Sequence, residues 1–263
     1  MCLIIFKWQP GDSTPLILAA NRDEFHNRPS LDAHYWEEAP HIFAGKDLEK
    51  NGTWLGVSQT RTDNKVRLAA LTNFRGPDKS VYSRSRGEVT TNFLDSSVSA
   101  FDYAKQLAYS EFPGFNGLFY DGNDLVYCHH EANQAPEIYP LPAGEYGLSN
   151  AKLDTPWPKV IKSKQVLSQL NESDHSFIAE ALFSSLSDTK IADDNQLPAT
   201  GVPLEFERML SAAFIISPQY GTRTSTVVII DELQLSQSVF FKERQFSASG
   251  DRLREQTQSL NFR

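Results

Sequence analysis

The sequence predicts an α+β fold in which antiparallel sheets carry helices on their outer faces. Two observations support this class: strand-like segments follow one another in blocks separated by turn residues, and segments with helical spacing form separate blocks. Strict alternation of strand and helix, the mark of a βαβ fold, is not seen. Because 263 residues with 40% hydrophobic content can bury a full core, we expect residues 1–263 to form a single domain.

The first predicted element is a hairpin. "CLIIFKW" at 2–8 and "PLILAAN" at 15–21 are apolar segments separated by the turn formers of "QPGDST". "TWLGVS" and "KVRLAALTNF" predict two further strands, and the nearly continuous apolar run of the second is typical of a sheet buried on both faces.

A second hairpin is predicted in "GFNGLFYDGNDLVYCHH", whose two β-rich runs flank the turn at 121–124, and "PEIYPLP" and "EYGLSN" continue the pattern. The last strand pair lies in "TSTVVIIDELQLSQSVFF". It predicts a strand from Thr226 to Ile230, a turn from Asp231 to Gln234, and a return strand.

Helical spacing of apolar residues occurs in three segments between these strands: "RGEVTTNFLDSSVSAFDYAKQLAYS", "WPKVIKSKQVLSQL" and "DHSFIAEALFSSL". Pro158 suits the first turn of a helix, so "DTPWPKV" predicts a rigid helix start with Trp157 packed as an anchor.

Composition restricts the class of protein. A net charge of -8 and a pI near 5.3 argue against a general binder of nucleic acid, which needs clustered Lys and Arg. Cys2 and Cys128 make neither a disulfide framework nor a CxxC pair, which favours a reducing compartment. Lys7 and Gln9 interrupt the first apolar run long before it could span a bilayer. We therefore expect a cytoplasmic protein with no nucleic-acid partner and no stable membrane insertion.

Cys2 is a candidate nucleophile. A cysteine thiol has a reference pKa of about 8.5 and needs a base, and removal of Met1 would supply one in the α-amine of Cys2, with a reference pKa of about 7.7 to 8.0. The polar cluster Asn21 to Glu24 ends the second strand and would lie near Cys2 in the predicted hairpin. The alternatives are a buried cysteine that begins a strand and a salt-bridged turn.

Cys128, His129 and His130 are consecutive and suggest a metal or haem site. Neighbours on a strand point to opposite faces, and the segment runs into a polar turn. We therefore predict solvent-facing histidines rather than a closed metal site, and assign no metal ligands.

Six ordered motifs carry a family resemblance: "MCLIIF", "AANRDEF", "GTWLGV", "LTNFRGP", "GLSNAKLDTPWPKV" and "YGTRTSTVVIID". Together, from residue 2 to about residue 231, they resemble the NRDE family, also called the transport and Golgi organization protein 2 family, whose signature is Asn21 to Glu24. That family is similar to the N-terminal nucleophile hydrolases, and the resemblance implies a four-layer αββα sandwich.

A more distant similarity, to the bile salt hydrolase and penicillin V acylase branch, implies site residues. Cys2 corresponds to the nucleophile, Asn73 and Asn150 to two active-site asparagines, and Arg223 to a late arginine. Asn150, with Asn73 or a backbone N–H, would stabilise a tetrahedral oxyanion, an effect of ~10² to 10³ in rate per donor. Each asparagine has an ordinary alternative role in stabilising a turn.

A guanidinium at Arg22 or Arg223 would favour the thiolate and orient the catalytic amine through a carboxylate. In the hydrolase branch the early arginine and aspartate are separated, whereas Arg22 and Asp23 are adjacent here. Because neighbours on a strand face opposite sides, either Asp23 or Glu24 faces Cys2.

The resemblance implies haem binding and trafficking, with haem as cargo, because the NRDE family is similar to proteins implicated in that process. The alternative is an amidohydrolase in which Cys2 cleaves a C–N amide without a cofactor. Either function takes a small amphipathic ligand. The sequence identifies no cofactor-binding residue, acyl substrate or delivery partner. Five aromatic residues either line such a pocket or pack in the core: Trp36, Trp54, Phe74, Phe115 and Trp157.

Overall fold

Two antiparallel β-sheets stack face to face, and α-helices cover both outer faces. The computed structural model describes residues 2–60, 65–76, 80–170, 174–233 and 236–262, with the backbone alone at positions 2, 233, 261 and 262. Across these ranges, no helix has the length and apolar character needed to cross a membrane.

The first sheet has six strands within the described residues. In spatial order they are β10 (Gly144–Leu148), β1 (Cys2–Trp8), β2 (Leu16–Phe25), β11 (Tyr220–Leu233), β12 (Ser236–Phe246) and β13 (Arg252–Phe262). The predicted hairpin of β1 and β2 is thus confirmed, and the C-terminal strands extend the sheet beyond it.

The second sheet has seven strands within the same ranges, each paired with its neighbour in sequence. They are β3 (Ser30–Tyr35), β4 (Ile42–Asp47), β5 (Leu55–Gln59), β6 (Val66–Asn73), β7 (Phe115–Tyr120), β8 (Leu125–His130) and β9 (Glu137–Pro140).

Helices form the two outer layers. α1 (Arg86–Asp95) and α2 (Ala100–Gln106) cover the seven-stranded sheet, whereas α3 (Pro158–Lys164) and α4 (His175–Leu186) cover the six-stranded one. α5 is Leu204–Ser211, and 3-10 turns occur at Tyr109–Glu111, Leu167–Gln169 and Asp194–Gln196. The predicted α+β class and the order helix, sheet, sheet, helix are therefore confirmed.

Alternation along β1 shows why the first sheet is buried on both faces. Ile4 and Phe6 face the core between the sheets, and Leu3 and Ile5 face the core under α3 and α4. Trp157 precedes Pro158 at the start of α3 and packs against that second core, as predicted.

One predicted boundary is wrong. Asp231, the expected start of the turn, lies within a strand, because β11 continues to Leu233 and Asp231 pairs with Ser238 of β12. The Asp231 carboxylate also accepts a hydrogen bond from Thr14 at 2.7 Å, which supports its place in a strand. Gln234, the predicted end of the turn, lies outside the described residues.

Glu243 of β12 links the two sheets near their edges. Its side chain is 2% exposed, and Oε1 accepts hydrogen bonds from the backbone N–H of Ala33, at 2.9 Å, and from Gln256, at 3.2 Å. Burial raises the pKa of Glu243 to about 7, and although the Ala33 N–H lowers it, the charge of Asp32 adds to the increase. The native protein therefore holds a proton here that the unfolded chain releases.

Glu243→Gln is expected to flatten part of the pH dependence of stability. The folded pKa of about 7 exceeds the unfolded value, so the stability contribution of Glu243 is complete below the unfolded pKa and is lost as pH rises to 7. That loss amounts to about 3 kcal/mol from an unfolded pKa of about 4.3. Urea unfolding should show that the free energy of unfolding of the variant rises relative to that of the wild type between pH 5 and pH 8.

The matched control is Glu255→Gln. Partial burial, the largest single effect, raises the pKa of Glu255, but the hydrogen bond from Arg244 and the charges of Arg244 and Lys242 together hold that pKa below its usual range. Its difference from the wild type should stay constant above pH 5. Parallel pH profiles for Glu243→Gln and the wild type would contradict the assignment.

Candidate functional site

A cavity of about 650 Å³ opens where β2, β4 and β6 end. Its size is within the range of about 300 to 1,000 Å³ typical of small-molecule sites. Further parts of the wall come from residues between 50 and 54 before β5, from residues between 80 and 88 at the start of α1, from residues 113–114 before β7 and from residues 131–133 after β8. The cavity therefore collects side chains from both sheets.

Arg22 lies on the cavity wall, and the pairing of β1 with β2 places it directly opposite Cys2. Its side chain is 5% exposed, and the guanidinium carbon lies 4.1 Å from the centre of the Trp54 ring. One guanidinium nitrogen is 3.6 Å from Asp47 and 3.9 Å from Glu24. The ring and the two carboxylates therefore hold a desolvated cation in one orientation.

Asp47 connects Arg22 to a second arginine, Arg28. The Arg28 Nε–H donates to Asp47, whose other oxygen accepts the backbone N–H groups of Glu49, at 2.9 Å, and Lys50, at 3.0 Å. Partial burial would raise the pKa of Asp47, but the hydrogen bonds from Arg28 and Lys50 outweigh it and hold that pKa below its usual range. Asp47 therefore remains a carboxylate at neutral pH.

Asp23 and Glu24 face opposite sides of β2. Glu24 shares the face of Arg22, to which it is paired, whereas the Asp23 carboxylate is 1% exposed and accepts a hydrogen bond from Thr222 at 2.6 Å. Burial raises the pKa of Asp23, against the lowering effects of Lys159 and Thr222. Both residues contribute to the cavity wall, but Glu24 is the one that contacts the Arg22 guanidinium.

Asn73 and Asn150, which the sequence placed in one site, are in direct contact. The Asn150 Nδ2–H donates to the backbone carbonyl of Asn73 at 2.7 Å, and the backbone N–H of Arg75 donates to the carbonyl of Asn150 at 2.8 Å. Asn150 is fully buried two residues beyond Leu148, which pairs with Ile4. Both asparagines thus lie at the end of the sandwich where β1 begins.

Arg223 occupies a β-bulge, because Thr222 pairs with Asp23 and Thr224 pairs with Arg22. Its guanidinium donates to the backbone carbonyls of Phe25, at 3.3 Å, and of Arg28. Burial lowers the pKa of Arg223, although Glu24 and Asp47 oppose the shift. Arg223 is not among the residues described for the cavity wall. Its hydrogen bonds instead stabilise the turn after β2 from outside the cavity.

A buried carboxamide, Asn116, lies beside these strand ends. Its Nδ2–H groups donate to Thr72 Oγ1 and to the carbonyl of Ala151, both at 3.0 Å. Its Oδ1 is bonded to the hydroxyl of Tyr127 at 2.8 Å and to Nδ1 of His129 at 2.9 Å. All four possible hydrogen bonds of this carboxamide are therefore made.

The same network reaches the segment 149–153, which follows β10. The Thr72 hydroxyl donates to the carbonyl of Ser149, and the Leu153 N–H donates to the Tyr127 hydroxyl at 3.1 Å. Hydrogen bonds from β6, β7 and β8 thus fix the segment that contains Asn150.

The prediction that His129 and His130 face solvent is wrong. Each is 3% exposed: His129 bonds Asn116, and His130 bonds the carbonyl of Phe112 at 3.1 Å on the other face of β8. In each histidine, one ring nitrogen thus has a hydrogen-bond partner inside the protein that the sequence pattern does not reveal. Burial, and next the charge of Lys152, lowers the pKa of His129 to about 4, and burial raises the pKa of Cys128 to about 12.

Two of the five candidate aromatic residues line the cavity, namely Trp54 and Phe74. Trp36 and Phe115 are buried in the core under α1 and α2. Several charged residues of the wall were not predicted from the sequence: Arg28, Asp47, Lys50, Arg84, Arg86 and Glu88. They come from separate segments without a common motif, and the only local signal is the pair of arginines in "SRSRGE".

Of Cys2, the structure describes the backbone in β1, opposite Arg22. Its side chain, and Met1, whose removal the hydrolase mechanism requires, lie outside the described residues. Two strands flank β1 near position 2. Arg22 lies directly opposite on β2, and Asn150 lies just beyond the end of β10, the neighbour on the other side of β1.

Fold and cavity together define a class: an α+β sandwich protein with an arginine-rich cavity at one end of its stacked sheets. Residues 1–248 match the family model described as Transport and Golgi organisation 2. The chain is 36% identical over 250 residues to the Transport and Golgi organization protein 2 homolog of Homo sapiens, covering 88% of this chain and 89% of that protein. It is 30% identical over 253 residues to Transport and Golgi organization protein 2 of Drosophila melanogaster, covering 88% of each chain.

The chain therefore belongs to the Transport and Golgi organisation 2 family, as its NRDE motifs predicted. A Mus musculus homolog of the same name is 34% identical over 251 residues, which cover 88% of this chain.

Asn116→Ala is expected to lower the free energy of unfolding by about 2 to 4 kcal/mol, because it leaves buried partners such as the Tyr127 hydroxyl and the His129 Nδ1–H without their acceptor. Urea denaturation measures the loss, and hydrogen exchange at the Leu153 amide reports local loosening of the segment 149–153. Asn123→Ala, at an exposed turn, is the control and should stay within about 0.5 kcal/mol of the wild type. Equal stability of the two variants would refute the structural role of Asn116.

Proposed function

We propose that this protein binds haem in the cavity and passes it on to other proteins. The observation that carries the proposal is the composition of the cavity wall, which combines arginine guanidinium groups with the rings of Trp54 and Phe74. Haem is a flat, largely apolar ring that bears two carboxylates. Guanidinium groups bind carboxylates in a bidentate manner, and aromatic rings pack against flat apolar faces.

Family membership supports the same proposal, since the NRDE resemblance implies haem trafficking. We place this activity in the cytoplasm, where two cysteines that form no disulfide framework would remain reduced. Haem is the cargo in this proposal, so the protein needs affinity for it together with a route for release.

Haem titration tests the proposal, with the Soret band as the signal. The wild type should saturate at one haem per chain, and Arg84→Ala should weaken binding about 3- to 10-fold, because a haem carboxylate gains only the difference between its own ion pair and those Arg84 already makes. Arg84 lines the cavity and has a side chain 34% exposed, paired with Glu88 and Glu111.

Arg208→Ala provides a matched control, because Arg208 is 35% exposed, is likewise paired with two carboxylates, those of Asp194 and Glu205, and is not among the residues described for the cavity wall. Its affinity should stay within about twofold of the wild type. If the wild type shows no saturable binding at micromolar haem, the proposal fails.

A second candidate function is hydrolysis of an amide, and the register of β1 favours it, because Cys2 lies opposite Arg22 and Asn150 follows the other neighbouring strand. In this proposal the Cys2 sulfur bonds to the acyl carbon as the C–N bond breaks, and the α-amine delivers the proton to the leaving nitrogen. Water then cleaves the thioester and restores the thiol. Arg22 would favour the thiolate and Asn150 would donate to the oxyanion.

An acyl-directed thiol probe tests this second candidate by intact mass. One adduct is expected on protein that begins at Cys2. Cys2→Ala should abolish the adduct, whereas Cys128→Ala should retain it, because Cys128 is buried with a pKa raised to about 12. Retention of Met1 on protein that turns over an amide would exclude the α-amine mechanism.

A further inference from the structure

The imidazole of His129 contains a buried nitrogen with no hydrogen-bond partner among the described residues. The side chain is 3% exposed, and Nε2 is the unpartnered atom, since Nδ1 bonds Asn116. A buried polar atom without a partner is energetically unfavourable. Such an atom in a native structure calls for an explanation, and a bound ligand is one.

The surrounding hydrogen bonds determine which nitrogen of His129 carries the proton. Thr72 donates its hydroxyl proton to the carbonyl of Ser149, so Thr72 Oγ1 accepts from Asn116, as does the carbonyl of Ala151. Asn116 therefore directs its NH₂ group at these two acceptors and its oxygen at His129. Nδ1 of His129 must carry the hydrogen, and Nε2 presents a lone pair.

The protonation state agrees with this geometry. Burial lowers the pKa of His129 to about 4, so the ring is neutral at pH 7. A neutral imidazole whose Nδ1–H is held by an oxygen is the usual state of a metal-ligating histidine, because the hydrogen bond orients the ring and increases its basicity.

His129 also lies next to the cavity. The ring of Phe74 meets the imidazole edge to face, with 4.8 Å between the ring centres and 78° between the planes, and Phe74 itself lines the cavity. Glu131, two residues after His129, is part of the same wall. Phe74 therefore contacts both the cavity and the His129 imidazole.

We propose that Nε2 of His129 is the axial ligand of the haem iron. Resting on the function proposed above, haem enters the cavity, displaces the ring of Phe74 and accepts the Nε2 lone pair in an Fe–N coordinate bond. No proton or electron is transferred in this step. Arginine contacts to the carboxylates would hold haem independently, so loss of the iron ligand changes the iron spectrum without abolishing binding.

Pulsed electron paramagnetic resonance of the ferric complex tests the assignment on protein labelled with ¹⁵N-histidine. The wild type should show a ¹⁵N coupling to iron. His129→Gln, whose amide can still donate to Asn116, should lose the coupling, retain one haem per chain with an affinity about tenfold weaker, and regain a nitrogen signal when free imidazole is added. His130→Gln should keep the coupling, because His130 bonds Phe112 on the opposite face.

Phe74→Ala supplies a second measurement, and haem should associate faster with this variant because the ring no longer has to move. If wild type binds haem but shows no histidine coupling, or if His129→Gln retains it, the ligand assignment is overturned while the haem proposal stands. If wild type does not bind haem, the proposed function fails and the ligand assignment fails with it.

Discussion

The site depends on one buried carboxamide, that of Asn116. The core between the sheets is apolar, and apolar contacts are non-directional, so they set the spacing of the sheets rather than the position of each strand end. Hydrogen bonds are directional. Those from Asn116 to Ala151 and from Thr72 to Ser149 tie the segment after β10 to the second sheet. Asn150, held between these two contacts, reaches the carbonyl of Asn73 and closes the end of the sandwich.

At the same end of the sandwich, the residues on the inner face of the second sheet change from apolar to polar. Across β6, β7 and β8, one row of paired positions is polar, with Thr72, Asn116 and His129 side by side. Further along, paired positions such as Leu68 and Tyr120 belong to the apolar core. Buried polar groups must keep hydrogen-bond partners, and in this row Thr72 and His129 each bond Asn116.

Much of the fold could be predicted because apolar periodicity is a local signal. β1 and β2, with alternate residues in two separate cores, follow directly from it. β13 was missed because it is an edge strand whose charged residues are mostly exposed, and α5 because its sequence "LEFERMLS" is rich in charge. His129 was misjudged for a different reason: it pairs with Asn116 across the predicted hairpin, but the alternation of the strand does not show that this face is covered.

The sequence predicted some of the polar residues that meet at this end of the sandwich, but not which ion pairs they form. Motif positions brought Arg22, Asn73 and Asn150 to one end, whereas the choice between Asp23 and Glu24 required the strand register. Asp47 was not foreseen, although it contacts both Arg22 and Arg28. Its contribution is visible only once the two sheets are stacked, because β4 belongs to one sheet and β2 to the other.

The sharing of arginines by carboxylates bears on what the cavity is suited to do. Arg22 already lies near Asp47 and Glu24, and Arg28 is bonded to Asp47. An incoming carboxylate must compete with these internal partners, so the gain on binding is the difference between two similar ion pairs rather than the full value of one. When the ligand leaves, the arginines return to partners that are already in place, and no buried cation is left uncompensated. A cavity built this way lowers the free energy needed for release, which is what a carrier requires and what permanent retention of a cofactor does not.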